Sequence, residues 1–159
     1  MRLPRLFSRS LLVFFLGSAL SFAAREEGVV IGSVDTAWNA VKNHKIVVER
    51  FDDPKVDNVS CFVSRARTGG LSGATGFAED PARMDIACRA TGPVKVHQDI
   101  NKTEKGELVF SEKASVLFKH INVTRFYDRD KDTLVYLIWS AKLVDGSPFN
   151  SITAVPLNH

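Results

Sequence analysis

Two short segments constrain this chain more than any others. Asn58-Val-Ser-Cys-Phe-Val-Ser-Arg65 and Met84-Asp-Ile-Ala-Cys-Arg-Ala90 both alternate apolar with polar residues, and each carries one of the two cysteines. Successive side chains of a strand point to opposite faces, so Val59, Cys61 and Val63 share one face. By the same rule Met84, Ile86, Cys88 and Ala90 share a face of the second segment. Both sulfurs therefore point to the core side of half-buried strands.

Whether those thiols can pair depends on the compartment. Residues 1–9 carry Arg2, Arg5 and Arg9 and no acid, and Leu11 to Phe22 is a run of 12 apolar or small residues. Ser21-Phe22-Ala23 then supplies small side chains at both positions ahead of a cleavage point. This is the pattern of a secretory signal peptide over residues 1–23, cut between Ala23 and Ala24, with a single domain over 24–159. The apolar run is shorter than the roughly 20 residues of a membrane-spanning helix, and no other stretch resembles one, so the mature chain is not expected to span a membrane. Neither a lipoprotein cysteine nor a twin-arginine pair accompanies the cleavage site. Outside the cytosol, paired thiols oxidise and stay oxidised. Catalytic dithiols favour Cys-x-x-Cys spacing and a zinc site needs four ligands, so Cys61 and Cys88 predict a structural disulfide and no metal.

Charge narrows the partners. The chain has 21 Lys and Arg against 18 Asp and Glu, and the excess of three lies entirely in Arg2, Arg5 and Arg9. From Ala24 onward 18 basic residues face 18 acidic ones. A neutral mature chain lacks the basic footprint of a nucleic-acid binder.

Strand signals dominate the rest. Val29–Ile31, Lys45–Phe51, Pro93–Gln98, Glu107–Ser111, Val116–Tyr127 and Ser151–Leu157 are rich in β-branched and aromatic residues. Thr133–Ala141 is nearly all apolar and predicts a central strand covered on both faces. Asp52-Asp53-Pro54, Asp128 to Asp132 and Asp145-Gly146-Ser147-Pro148 carry turn chemistry. Val34, Ala37, Trp38 and Val41 recur at helical spacing behind Ser33, which predicts a brief capped helix, and Phe77 to Arg83 has room for one helical turn. Short strands with frequent turns predict a mainly β fold, an antiparallel sandwich or partly open barrel with one or two short helices.

Motifs of chemistry fall short of their templates. Thr68-Gly-Gly-Leu-Ser-Gly-Ala-Thr-Gly76 holds four glycines in nine residues, but it lacks the Gly-Lys-Ser/Thr ending of a P-loop, and Ala74 stands where an esterase elbow needs glycine. What remains is a loop whose backbone amides, with Arg65, Arg67, Thr68, Gly69 and Gly70, can hold an anionic group. Asp128-x-Asp130-x-Asp132 opens like a calcium loop but has Thr133 and Trp139 where Gly and Glu belong. Asp52, Asp53 and Asp57 read as a turn before a cation site. His44, His97, His120 and His159 show no ligand spacing, no catalytic residue stands out, and no cofactor is expected. Trp38 and Trp139 sit in apolar patterns and read as core.

Several stretches together resemble the CreA family of small exported proteins of Gram-negative bacteria. These are Ile31-Gly-Ser-Val-Asp-Thr36, Lys45-Ile-Val-Val-Glu49, Phe51-Asp-Asp-Pro54, Cys61-Phe-Val-Ser-Arg-Ala66 with Thr68-Gly-Gly70, Arg125-Phe-Tyr-Asp128, Gly146-Ser-Pro148 and Ser151-Ile-Thr-Ala-Val-Pro156. The resemblance runs from Gly28 to Pro156. It implies a periplasmic location and a genetic neighbourhood beside a catabolite-related two-component system, and it supplies neither a catalytic residue nor a cofactor. Two expectations follow: a non-enzymatic accessory protein that binds an envelope or periplasmic protein, and, as the alternative, a binder of a small anionic ligand through the Gly-rich loop and its arginines.

Overall fold

Alternating strands need a second layer to bury their apolar faces, and here each sheet supplies it for the other. In a computed structural model of the protein, the residues described are 28–38, 43–69, 83–113, 120–144 and 147–157. They form eight strands: β1 (Val29–Trp38), β2 (Asn43–Asp52), β3 (Val56–Gly69), β4 (Met84–Val96), β5 (Glu107–Lys113), β6 (His120–Asp128), β7 (Thr133–Val144) and β8 (Ser147–Pro156). Strands β1-β2-β3-β4 make one antiparallel sheet and β5-β6-β7-β8 the other. The result is a sandwich of two four-stranded meanders.

The alternation read from the cysteine segments holds. Val59, Cys61, Val63, Met84, Ile86 and Cys88 are buried together with Phe51, Phe110, Val123, Leu134, Tyr136, Ile138 and Val155. Phe51 of the first sheet stacks on Phe110 of the second, with ring centroids 4.4 Å apart. Cys61 and Cys88 lie directly opposite each other on β3 and β4 and are joined by a disulfide. Along the sandwich edge β4 meets β8, where the Cys88 amide donates to Thr153 Oγ1 and the Ser151 hydroxyl donates to Asp85.

Three sequence expectations differ from this fold. No helix occurs among the described residues, and residues 33–38, expected to open one, belong to β1. Val29, Val30, Ile31, Val34 and Thr36 are β-branched and suit a strand, and pairing with β2 satisfies the backbone groups on that side of β1. Register shifts between Val30 and Gly32 and between Asp35 and Ala37 break the period of two and leave a spacing that imitates a helix. The second expected helical turn, at 77–83, lies outside the described residues apart from Arg83, as does the glycine loop from 70 to 76.

The sequence reads as separate strands over 84–90 and 93–98, whereas β4 is continuous from Met84 to Val96. Between the pairs Asp57–Lys95 and Val59–Ala90, four residues of β4 oppose the single Asn58. Asn58 adopts φ +62° and its amide donates to the Pro93 carbonyl at 2.7 Å, so the bulge is closed by a side chain. Asn tolerates that left-handed conformation better than most residues.

The third difference is β7. Leu134, Tyr136 and Ile138 face the core with essentially no exposure. Thr133, Val135, Leu137 and Trp139 point to the outer side and are only half-buried, so Trp139 is not a core residue.

Candidate functional site

Charged residues that continue an apolar alternation are carried inward with it. On β2, Glu49 shares the face of Val47 and Phe51, and on β3, Arg65 shares the face of Val59, Cys61 and Val63. Arg65 meets Glu49 in a two-pronged pair, Nε to Oε2 at 2.9 Å and Nη2 to Oε1 at 3.1 Å. Glu112 of β5 accepts from both Arg65 and Arg67, and Arg67 Nη2 lies 3.0 Å from Glu49 Oε1. This cluster ties the first sheet to the second. Of the five residues expected to hold an anion, Arg65 and Arg67 are thus in contact with two carboxylates. Thr68 and Gly69 end β3 opposite His44 and Asn43, and Gly70 is outside the described residues.

A second cluster lies on the other side of the Phe51–Phe110 stack. Asp53, read from sequence as a turn residue, does cap its turn, accepting from the Lys55 amide at 2.8 Å. Its side chain is nevertheless fully buried. It receives the guanidinium of Arg125, itself 0% exposed, and the Tyr136 hydroxyl at 2.8 Å. Arg125 Nη2 also contacts Glu107 Oε2 at 2.6 Å, and Lys55 Nζ reaches Glu107 Oε1 at 2.7 Å and Asp99 Oδ2 at 2.9 Å. The cation of this acidic turn is the protein's own Arg125. Burial, reinforced by the Asp53 carboxylate, pushes the Tyr136 phenol far above its ordinary value of 10.0 and keeps it a hydrogen-bond donor.

These pairs carry a pH dependence. Burial raises the Glu107 carboxyl, but bonds from Lys55 and the Asn101 amide, with Arg125 nearby, outweigh it and leave Glu107 below its ordinary 4.5. Lys55 likewise lowers Asp99, and Ser151 lowers Asp85, from 3.8. A carboxyl depressed on folding contributes stability above its unfolded value and loses it as pH falls through the folded one. The contribution of these three groups is therefore complete above about pH 5 and disappears in acid. We expect the urea midpoint to be flat from pH 7 to 5 and to fall steadily below pH 4; a midpoint unchanged at pH 3 would refute it.

A groove of about 550 Å³ lies at the far end of β3 from Gly69, where the Asn58 bulge opens the sheet, and Asp52, Asp57, Ser60, Thr91 and Lys95 help line it. Its acids already have partners: Ser60 donates to Asp52, and His97 bonds Asp57 at 3.0 Å.

The outer side of the second sheet is different in kind. The strand registers place Ser111, Asn122, Trp139 and Asn150 in one cross-strand row, and Leu108, Thr124, Leu137 and Ile152 in the next. Phe126, Val135 and Ala154 form a third. None of these residues is charged. Leu108 is 47% exposed and Ile152 65%, with Phe126, Val135, Leu137 and Trp139 half-buried between them. The Trp139 indole N–H donates to Thr124 Oγ1 at 3.0 Å. Because that oxygen sits one bond beyond Cβ on a diagonal neighbour, the indole must lie low along the sheet. An apolar face spanning four strands, with its tryptophan tethered and uncharged throughout, is a surface suited to contact.

The profile of the CreA protein family matches residues 31–159. The proteins named Protein CreA from Escherichia coli strain K12 and from Escherichia coli O157:H7 are each 50% identical over 129 residues, covering 80% of this chain and 82% of theirs. The chain belongs to the CreA family. No solved structure matches it. The segments by which the sequence resembles CreA hold part of both ion-pair clusters: Glu49 in Lys45–Glu49, Asp53 in Phe51–Pro54, Arg65 in Cys61–Ala66, and Arg125 in Arg125–Asp128. Their partners Arg67, Glu107 and Glu112 lie outside those segments, and the outer face is divided, with Phe126, Ile152 and Ala154 inside them and its β5 and β7 residues outside.

Proposed function

We propose that the protein is an exported, non-enzymatic accessory protein of the cell envelope, processed after Ala23, which docks a partner protein on the outer face of its second sheet. The observation that carries this reading is the uncharged row structure around Trp139. Aromatic anchors set among aliphatic neighbours, with polar residues such as Ser111 and Asn150 at the margin, are the composition of a protein-binding patch. The absence of charge from all three rows selects an apolar partner surface over an ionic ligand. The signal-like segment at 1–23, the disulfide and the CreA resemblance support the periplasm as the place where such a partner is met. The anionic-ligand reading would require Arg65 and Arg67 to release Glu49 and Glu112, so docking is taken first.

The test uses protein isolated from the periplasm of its own host, without reductant. Its denatured mass should correspond to a chain beginning at Ala24. In cross-linking and native mass spectrometry, a co-purifying protein should be held by the wild type and lost, or weakened roughly tenfold or more, in a Leu108→Glu, Ile152→Glu variant, because a carboxylate buried without a partner is costly. Both side chains are exposed, so the variant's urea midpoint should be unchanged. Retention of the partner by the variant would sink the reading. A defined small adduct that is lost when Arg65 and Arg67 are replaced would favour the anionic ligand instead.

A further inference from the structure

The four outer strands of the two sheets are not guarded alike. β4 carries Pro93 and runs beside β8, β8 carries Pro148 and Pro156, and β5 carries Glu107 and Glu112. Charges, prolines and covering elements are how proteins protect sheet edges from pairing. β1 has no proline and no charge but Asp35, whose register partner on β2 is Lys45, and its other irregularities are the two register shifts with β2 at Ile31 and Thr36. Among the described residues no strand pairs with its outer edge. Val29, Val30, Ile31 and Val34 are 53%, 55%, 53% and 66% exposed, and a side chain built at Gly32 would meet nothing within 4 Å. A glycine with open space inside an edge strand leaves room for a second backbone to approach.

We propose that β1 pairs with β1 of a second copy of this chain, antiparallel and two-fold symmetric, joining two four-stranded sheets into one of eight strands. The register follows from the faces. Val29 and Val34 lie on the outer side with Arg50 and Ile46, and Val30 and Ser33 lie on the inner side with Glu49 and Val47, because the shift at Ile31 resets the alternation. A two-fold axis between Ile31 and Gly32 sets Val29 against the partner's Val34, Val30 against the partner's Ser33, and Ile31 against the partner's Gly32. Each opposed pair with an assigned face shares that face, as antiparallel pairing requires. Asp35 falls opposite the partner's Gly28, so no like charges meet. From Ala24 onward the chain has 18 basic and 18 acidic residues, so two copies do not repel by net charge. A pairing that is self-complementary in face, volume and charge selects a second copy as the occupant, and it uses a different sheet from the docking face.

Sedimentation of the mature chain at tens of micromolar should give twice the monomer mass, falling to the monomer on dilution. Val34→Lys, at an exposed outer position, should abolish the dimer and leave the unfolding midpoint in place at dilutions where the wild type is also monomeric. A Val29→Cys, Val34→Cys variant should form a covalent dimer on mild oxidation, while Val29→Cys alone should not, since only the double variant places sulfurs in opposition. A wild type that stays monomeric at all concentrations, a dimer that survives Val34→Lys, or equal cross-linking by the single variant would each overturn the proposal. So would a foreign strand captured on β1 in place of a second copy.

Discussion

Replacing Arg125 with methionine should lower the folding free energy by about 3–5 kcal/mol, the range for removing one partner of a buried ion pair. Methionine keeps the stem of the side chain out to the position of Nε, so the packing around that stem survives. What is lost is the guanidinium between Asp53, which is fully buried, and Glu107. Glu107 retains Lys55, and Asp53 retains the Tyr136 hydroxyl and the Lys55 amide, but neither of Asp53's remaining donors is a cation. A domain of this size has about 5–15 kcal/mol in hand, so the variant should remain folded and show a clearly lower urea midpoint at an unchanged slope. Tyr136→Phe, which removes one hydrogen bond to a charged acceptor, should cost less, about 1.5–3 kcal/mol. Adding Asp53→Leu to Arg125→Met should cost less than the two single losses together, because the double variant leaves no unpaired charge on Asp53. A loss under about 1 kcal/mol for Arg125→Met would mean that water reaches the cluster and that it does not clamp the sheets.

The sandwich was readable because its core segments are local. In β3 and β4 the alternation and the cysteines fixed both the faces and the pairing. The ion-pair clusters were only half readable. Their signal is a charged residue continuing an apolar alternation, as Arg65 does after Val59, Cys61 and Val63, and as Arg125 does after Ile121 and Val123. That pattern says a charge points inward and does not name its partner. Asp53 meets an arginine 72 positions away, a distance set by how the second sheet folds over the first. The outer face was hidden for another reason: β7 is apolar on both sides, so no alternation distinguishes Trp139 from Tyr136 or Ile138. β1 misled because its two register shifts erase the period of two, leaving Val34, Ala37 and Trp38 at a spacing a helix would also give. Burial depends on which faces the sheets turn toward each other, and a one-residue bulge changes that without changing composition.

Replacing both Cys61 and Cys88 with alanine should cost about 3–4 kcal/mol from the loop the bond closes. The cysteines are 27 positions apart, and that loop contains the whole β3–β4 connection, including the glycine-rich stretch, whose freedom in the unfolded chain is large. The native contacts argue that the cost falls mostly on the unfolded state. Cys61 and Cys88 are already opposite each other in a register that extends from Val59–Ala90 to Arg65–Met84, so the strands remain paired without the bond. Some native packing is lost as well, because both sulfurs lie in the core. The variant should therefore fold to the same sandwich with a reduced urea midpoint, and its effect should add to that of Arg125→Met if the two sites are independent. Because Cys61 is fully buried and Cys88 nearly so, dithiothreitol should reduce the wild type slowly in buffer and rapidly once urea populates the unfolded chain. Fast reduction without denaturant would show that β3 and β4 separate in the native state. That would overturn the assignment of this disulfide as structural and make the pair a redox-responsive element of the sheet.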